Sequence, residues 1–476
     1  MLVASPESQP APAAVPVDPY TWSTRRKAFV FTVGAIAVAN STLGSALPSG
    51  AVSFIAADFG VDDEQLLTLP ITCYLIGYIL GPVVFGPLSE TYGRRPITLW
   101  TFAFYTVFTL ACALAPTFAA LVVFRLFAGI FASSPPAVTG GIYADIFSDP
   151  KARGRAMAGY MAATTLGPTM GPIMSGYLSV MGWRWTFWVA LIIVGASWPF
   201  LLLLPETFGP VLQRKQATTS SSNIANVNAI AAIELTRENW HHLFTRVLAR
   251  PIKMFCTESI VLFSCLYLSL IYAIFYLFFE AYPIIFEGMY GMTPGECGLM
   301  FIPIAVGALL SFIVYLLYDN IYQRAQTQGK RWVEVEEYRR LPLACIGGPL
   351  YSATIFWLAW TANPSIHWIV PAIAGVPFGI GFLLIFMALI NYLADAYGIF
   401  AASALAAASG TRSILGAVLP LATNAMYGRL GVHWATSLLG FLSLLMALIP
   451  FAFIRFGRHL RENSKFSQSL KASHTK

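Results

Sequence analysis

GPLSETYGRRP, Gly86 to Pro96, separates two long apolar runs. No charged residue occurs from Gln65 to Phe85 or from Ile97 to Pro116. Each run has about the 20 residues that carry a helix across the hydrocarbon core of a bilayer. The interval between them holds an acid, Glu90, two adjacent arginines, Arg94 and Arg95, and the glycines Gly86 and Gly93. The glycines permit a tight turn and close backbone approach. Glu90 and Arg94, four residues apart, can pair across one helical turn.

The same pattern extends along the chain. Apolar residues make up 57% of the 476 residues and charged residues only 11%, where soluble domains carry about a quarter. Helices and closed barrels are the two ways to satisfy a backbone in lipid. The runs are continuous and lack the period-two alternation of barrel strands, so the chain reads as an all-α integral membrane protein. Its first twenty residues, rich in Pro, Ala and Ser, have no basic segment ahead of an apolar core and read as a tail rather than a secretory signal. The six scattered cysteines form no Cys-x-x-Cys pair and read as small packing residues rather than a disulfide or metal framework.

Twelve spans are expected, at roughly 28–48, 65–85, 96–116, 119–143, 155–179, 183–204, 257–280, 297–318, 342–362, 366–393, 400–424 and 434–455. The domains follow: a disordered N-tail over 1–27, a six-helix half over 28–205, a flexible polar linker over 206–254, a second six-helix half over 255–456 and a C-tail over 457–476. Of the 29 lysines and arginines, the outer loops carry only Arg184 and Arg429, and Arg125 and Arg412 fall within spans. The others lie on the side of both termini, which the positive-inside rule makes cytoplasmic. The net charge of +7 then faces anionic lipid, and no nucleic-acid-binding pattern accompanies it.

The charged interval resembles the loop signature of the major facilitator superfamily, with Glu90 where that signature usually has Asp. The resemblance implies a conformational latch built from Gly86, Glu90, Gly93, Arg94 and Arg95, whose acid faces the N-terminal end of span 11 in one of two states. Arg125-Leu-Phe-Ala-Gly129 in span 4 matches the family's Arg-x-x-x-Gly motif. Gly167-Pro168-Thr169-Met170-Gly171-Pro172, closed by Ser175-Gly176 where Gly-Gly is usual, matches the motif of proton-driven exporters. "NSTLGSALPSG", "LPETFGPVL", "YLFFEAYPIIFEGMYGM" and "NYLADAYG" are similar to stretches of the fungal drug:proton antiporters with twelve spans. That family implies efflux of a small molecule, coupled to protons, from the plasma membrane or the vacuole, by a monomer without cofactor or metal.

The residues themselves leave some roles open. Arg125 within a span costs at least about 2.5–3.5 kcal/mol on insertion scales. It reads either as a structural cation bonded to backbone carbonyls or Asn40, or as a proton-coupling element beside Gly129. Arg412 in span 11 poses the same choice. No Asp or Glu falls in the middle third of any span. Glu258 and Glu280, at the two ends of span 7, are therefore the candidate proton carriers, with solvated end caps the alternative. Tyr272, Phe275, Tyr276 and Phe279, with Phe382 and Phe386, lie at helical spacing and suit either packing or a flat, lipophilic solute. No nucleophile elbow, metal cluster or phosphate loop is present, so catalysis is not expected. A polyamine exporter, a nutrient importer and a non-transporting sensor are the alternative functions.

Overall fold

The computed structural model describes residues 18–213 and 249–462. The expected N-tail up to residue 17, most of the expected linker and the end of the C-tail lie outside the described residues. Among the described residues all regular structure is helical.

Among the described residues, ten helical stretches are long and apolar enough to cross a membrane. One of them, Ala401–Arg461, contains two crossings, because Gly431 breaks it with φ 72° and ψ 166°. A twelfth crossing, Pro150–Leu178, falls outside the ten because Gly, Thr, Ser and Pro dilute its apolar content. The spans are thus 1, Thr24–Ala46; 2, Leu69–Tyr92; 3, Arg94–Ala113; 4, Phe118–Ile146; 5, Pro150–Leu178; 6, Arg184–Leu202; 7, Ser259–Glu287; 8, Pro294–Thr327; 9, Glu337–Thr361; 10, Ile369–Tyr397; 11, residues 401–430; and 12, residues 432–462.

Several boundaries differ from expectation; span 7 runs on to Glu287, which puts Glu280 inside it rather than at its end, and span 8 runs on to Thr327. Gly86–Tyr92 is helical and continues span 2 through a π turn at Gly81–Phe85, rather than forming a loop. Gly93 alone makes the corner, with φ 107°, and span 3 begins at Arg94. Only glycine adopts that φ without strain. Span 1 starts at Thr24, inside the stretch assigned to the N-tail, with Ser23 as its N-cap. The last helix continues past residue 456 to Glu462.

The packing repeats with an offset of six spans. Span 1 packs on 5, 2 on 4, 3 on 4 and 3 on 6; span 7 packs on 11, 8 on 10, 9 on 10 and 9 on 12. The two halves meet where span 5 packs on 8 and span 2 on 11. All six cysteines are free, with Cys112, Cys265 and Cys297 buried and Cys256 exposed.

Candidate transport site

At the inner end of spans 2 and 3, Arg94 is the buried centre of a charged cluster. Its Nε donates to Asp145 Oδ2 at 3.2 Å and its Nη1 to Ser89 Oγ at 2.7 Å. Glu90 approaches Nη2 at 3.6 Å with its side chain 59% exposed. The pair foreseen from the four-residue spacing is therefore present, but Asp145 is the closer and better-buried partner. Sequence reasoning missed Glu206, from the LPETF stretch. Its carboxylate accepts the backbone N–H groups of Arg94, Arg95, Thr207 and Phe208 at 2.9–3.1 Å. It thereby satisfies N–H groups at the start of span 3 and carries negative charge where the helix dipole favours it. A side chain at Gly93 would strike it, since a Cβ there would lie 2.4 Å from Glu206 Oε2. Arg95 turns outward and donates to the Leu202 carbonyl. Gly86 has open space around it. The ion pair of Glu90 stays within its own helix and corner, while the π turn behind it touches span 11.

Arg125 is 2% exposed. Nε donates to the Pro70 carbonyl at 2.8 Å, Nη1 to Gly44 at 2.8 Å and Nη2 to Ser45 at 3.2 Å. The guanidinium also lies 4.3 Å from the Tyr74 ring centre. All three nitrogens are thus committed to the backbone of spans 1 and 2. Asn40 is not its partner: it donates to Ile36 and Ser197 instead. Gly129, one turn on, lets spans 2 and 4 touch, since a Cβ there would sit 2.1 Å from the Tyr74 carbonyl oxygen.

The Ser45 residue held by Arg125 also reaches the other half. Its Oγ and Tyr276 Oη share a hydrogen bond of 2.7 Å, and Tyr272 donates to Tyr276 at 3.3 Å. On the first half, Tyr74 donates to the Ser41 carbonyl and Tyr105 to that of Asn40. This phenol-lined region was not foreseen beyond Tyr272 and Tyr276. Tyr74 of span 2, Tyr105 of span 3 and the tyrosines of span 7 lie far apart in sequence, and nothing in the pattern groups them.

Span 5 is a continuous helix despite Pro168 and Pro172. Its motif glycines serve two neighbours. A Cβ at Gly167 or Gly171 would meet Thr42 or Ala46 of span 1, whereas one at Gly176 would lie 2.3 Å from the Pro294 carbonyl oxygen of span 8. Close approach to the opposite half is therefore the work of Gly176, at the outer end. Ser175, where the motif has Gly, accepts the Gly50 N–H at 2.9 Å.

The aromatic set divides. Phe275 stacks on Phe382 at 5.1 Å and on Phe378, and Phe279 stacks on Phe301; all are packed inside the second half rather than lining a common surface. Tyr276 lies at the contact between halves with Tyr272 bonded to it, Phe386 packs beside Tyr272 and Phe382, and Arg412 is 5.4 Å from the Tyr272 ring and 5.6 Å from that of Phe386. Glu258 is buried at the inner end of span 7 and accepts from Tyr397 at 3.1 Å, an anchor between spans 7 and 10. Glu280 is different: its Oε1 is buried with no partner.

Two repeated six-helix halves, with buried polar side chains where they meet, define a multi-pass membrane transporter fold. The chain belongs to the Major Facilitator Superfamily, whose family model matches residues 34–420. It is 38% identical over 461 residues to the MFS-type efflux pump MFS2 of Trichophyton rubrum, covering 96% of this chain and 77% of that one. It is 38% identical to the major facilitator superfamily multidrug transporter mdrA of Aspergillus fumigatus, over 96% and 75% of the two chains. A transporter of the ascochitine biosynthesis cluster of Didymella fabae is 37% identical over 90% and 83%. Among solved structures, the proton:xylose symporter XylE superposes with a TM-score of 0.66 at 16% identity, covering 91% of this chain and 97% of that one. The human organic anion transporter MFSD10 gives 0.61 at 17% identity, over 89% and 99%.

Proposed function

We propose that the protein exports a small lipophilic organic compound across the plasma membrane in exchange for protons, by alternating access of a site between its halves. The observation that carries this reading is Glu280. A carboxyl oxygen buried without a partner within span 7 is one turn from Tyr276, whose hydroxyl bonds across to Ser45 of the other half. A group that gains and loses a proton beside a contact between moving halves can couple the two events. The efflux names of the relatives support the direction. The midplane cations Arg125 and Arg412 disfavour a polyamine, because an uncompensated positive charge brought beside them is costly. The charged cluster around Arg94, with Glu90, Asp145 and Glu206, is the latch of this scheme.

Cellular accumulation of two radiolabelled probes, the neutral fluconazole and the acidic 1-naphthaleneacetate, in a pump-deleted yeast tests the reading, export of either one supporting it. Expression lowers accumulation, and a protonophore or Glu280→Gln abolishes the difference. Raised accumulation points to an importer and overturns the proposal, as does accumulation that a protonophore leaves unchanged.

A further inference from the structure

The two arginines within spans are used in opposite ways. Arg125 has an acceptor on each of its three nitrogens. Arg412 has one long bond, from Nη2 to Ser409 Oγ at 3.4 Å, and its Nε is buried with no acceptor. No carboxylate pairs with it among the described residues. Placing a cation at this depth costs free energy, and leaving its donors unmade adds to that cost. The surroundings relieve it in part through ring faces, but they give the buried Nε no acceptor. The ring faces of Tyr272 and Phe386 flank the guanidinium. The stretch leading up to it, Ala401 to Gly410, is almost entirely Ala, Ser and Gly, so the turns of its own helix before it offer few long side chains.

We infer that Arg412 recognises a carboxylate, and that the transported class is a flat apolar molecule bearing one acidic group. This rests on the efflux reading above and names the substrate chemistry of the same site. A carboxylate presents two oxygens to the planar guanidinium fork, so the spare donors meet acceptors in a charge-assisted pair. The rings of Tyr272 and Phe386 then supply apolar faces for the rest of the molecule. Among the described residues, Arg125 has an acceptor on each nitrogen whereas the Nε of Arg412 has none, which matches recognition of a single acidic group at Arg412.

Equilibrium binding to the full chain in nanodiscs, followed by tryptophan fluorescence, separates the possibilities. The probes are 1-naphthaleneacetate and its carboxamide, which share ring and length and differ in charge. The wild-type protein binds the acid about tenfold more tightly than the amide, the scale of one charge-assisted pair. Arg412→Gln brings that ratio to about one, and Arg412→Lys, which keeps the charge without the fork, leaves an intermediate ratio. Thermal unfolding of each variant checks that it is folded. A wild-type ratio near one, failure of the acid to bind, or a ratio that survives in Arg412→Gln overturns the inference. Failure of the efflux reading would appear separately, in the cellular accumulation assay, since binding requires no proton gradient.

Discussion

Arg125 donates to the one carbonyl of span 1 that Pro48 leaves without a helical partner. In a helix the Gly44 oxygen would accept the N–H of residue 48. The chain is still helical in φ and ψ at Leu47 and Pro48, but proline has no N–H. Arg125 Nη1 takes that place at 2.8 Å.

This relationship is testable by a double-mutant cycle. Arg125→Ala should destabilise the protein by about 3–5 kcal/mol, since it strips buried carbonyls of charge-assisted donors. Pro48→Ala restores an N–H for Gly44, so the double variant should recover about 1 kcal/mol of that loss. Arg125→Lys, with one ammonium for three divergent acceptors, should fall close to Arg125→Ala. Denaturant unfolding in mild detergent measures all of these. A purely additive cycle would refute the pairing.

Glu206 and Glu90 should separate stability from transport. Glu206→Ala leaves four backbone N–H groups without their acceptor and should cost about 2–4 kcal/mol. Glu90→Ala removes a long, exposed pair and should shift stability by no more than about 0.5 kcal/mol, yet reduce export. Unfolding midpoints and export rates of the two variants decide this. Normal export in Glu90→Ala would remove it from the latch.

Gly176→Ala should weaken the outer contact between spans 5 and 8, because the new methyl would overlap the Pro294 carbonyl. Cys297 is buried beside that contact and serves as a native reporter. Its labelling by maleimide, located by mass spectrometry, should rise severalfold in the variant. Unchanged labelling would show that the contact yields by a small shift elsewhere.

Ser45 and Tyr276 should couple across the halves. Ser45→Ala and Tyr276→Phe each remove the shared hydrogen bond, so the double variant should show a coupling energy of about 1 kcal/mol in the same unfolding measurement. Coupling near zero would mean that the bond contributes nothing to holding the halves together.

The sequence by itself determined the class, the number of spans and the side on which positive charge collects, because these depend on apolar length and composition, which are local. It also marked Arg125, Arg412 and the charged corner at Gly93, since charge within an apolar run stands out without any knowledge of neighbours. Tertiary structure decided what those groups do. Arg125 and Arg412 look alike along the chain, yet one is surrounded by backbone carbonyls and the other by aromatic rings. Glu206 is an unremarkable acid after span 6 until folding brings it to the start of span 3, more than a hundred residues away. Likewise Phe275 and Tyr276 are adjacent, but helical rotation turns one into the core of its own half and the other toward Ser45 of the opposite half. Partners at such separations are set by how helices pack, and hydrophobic pattern specifies which residues avoid water without specifying which of them meet.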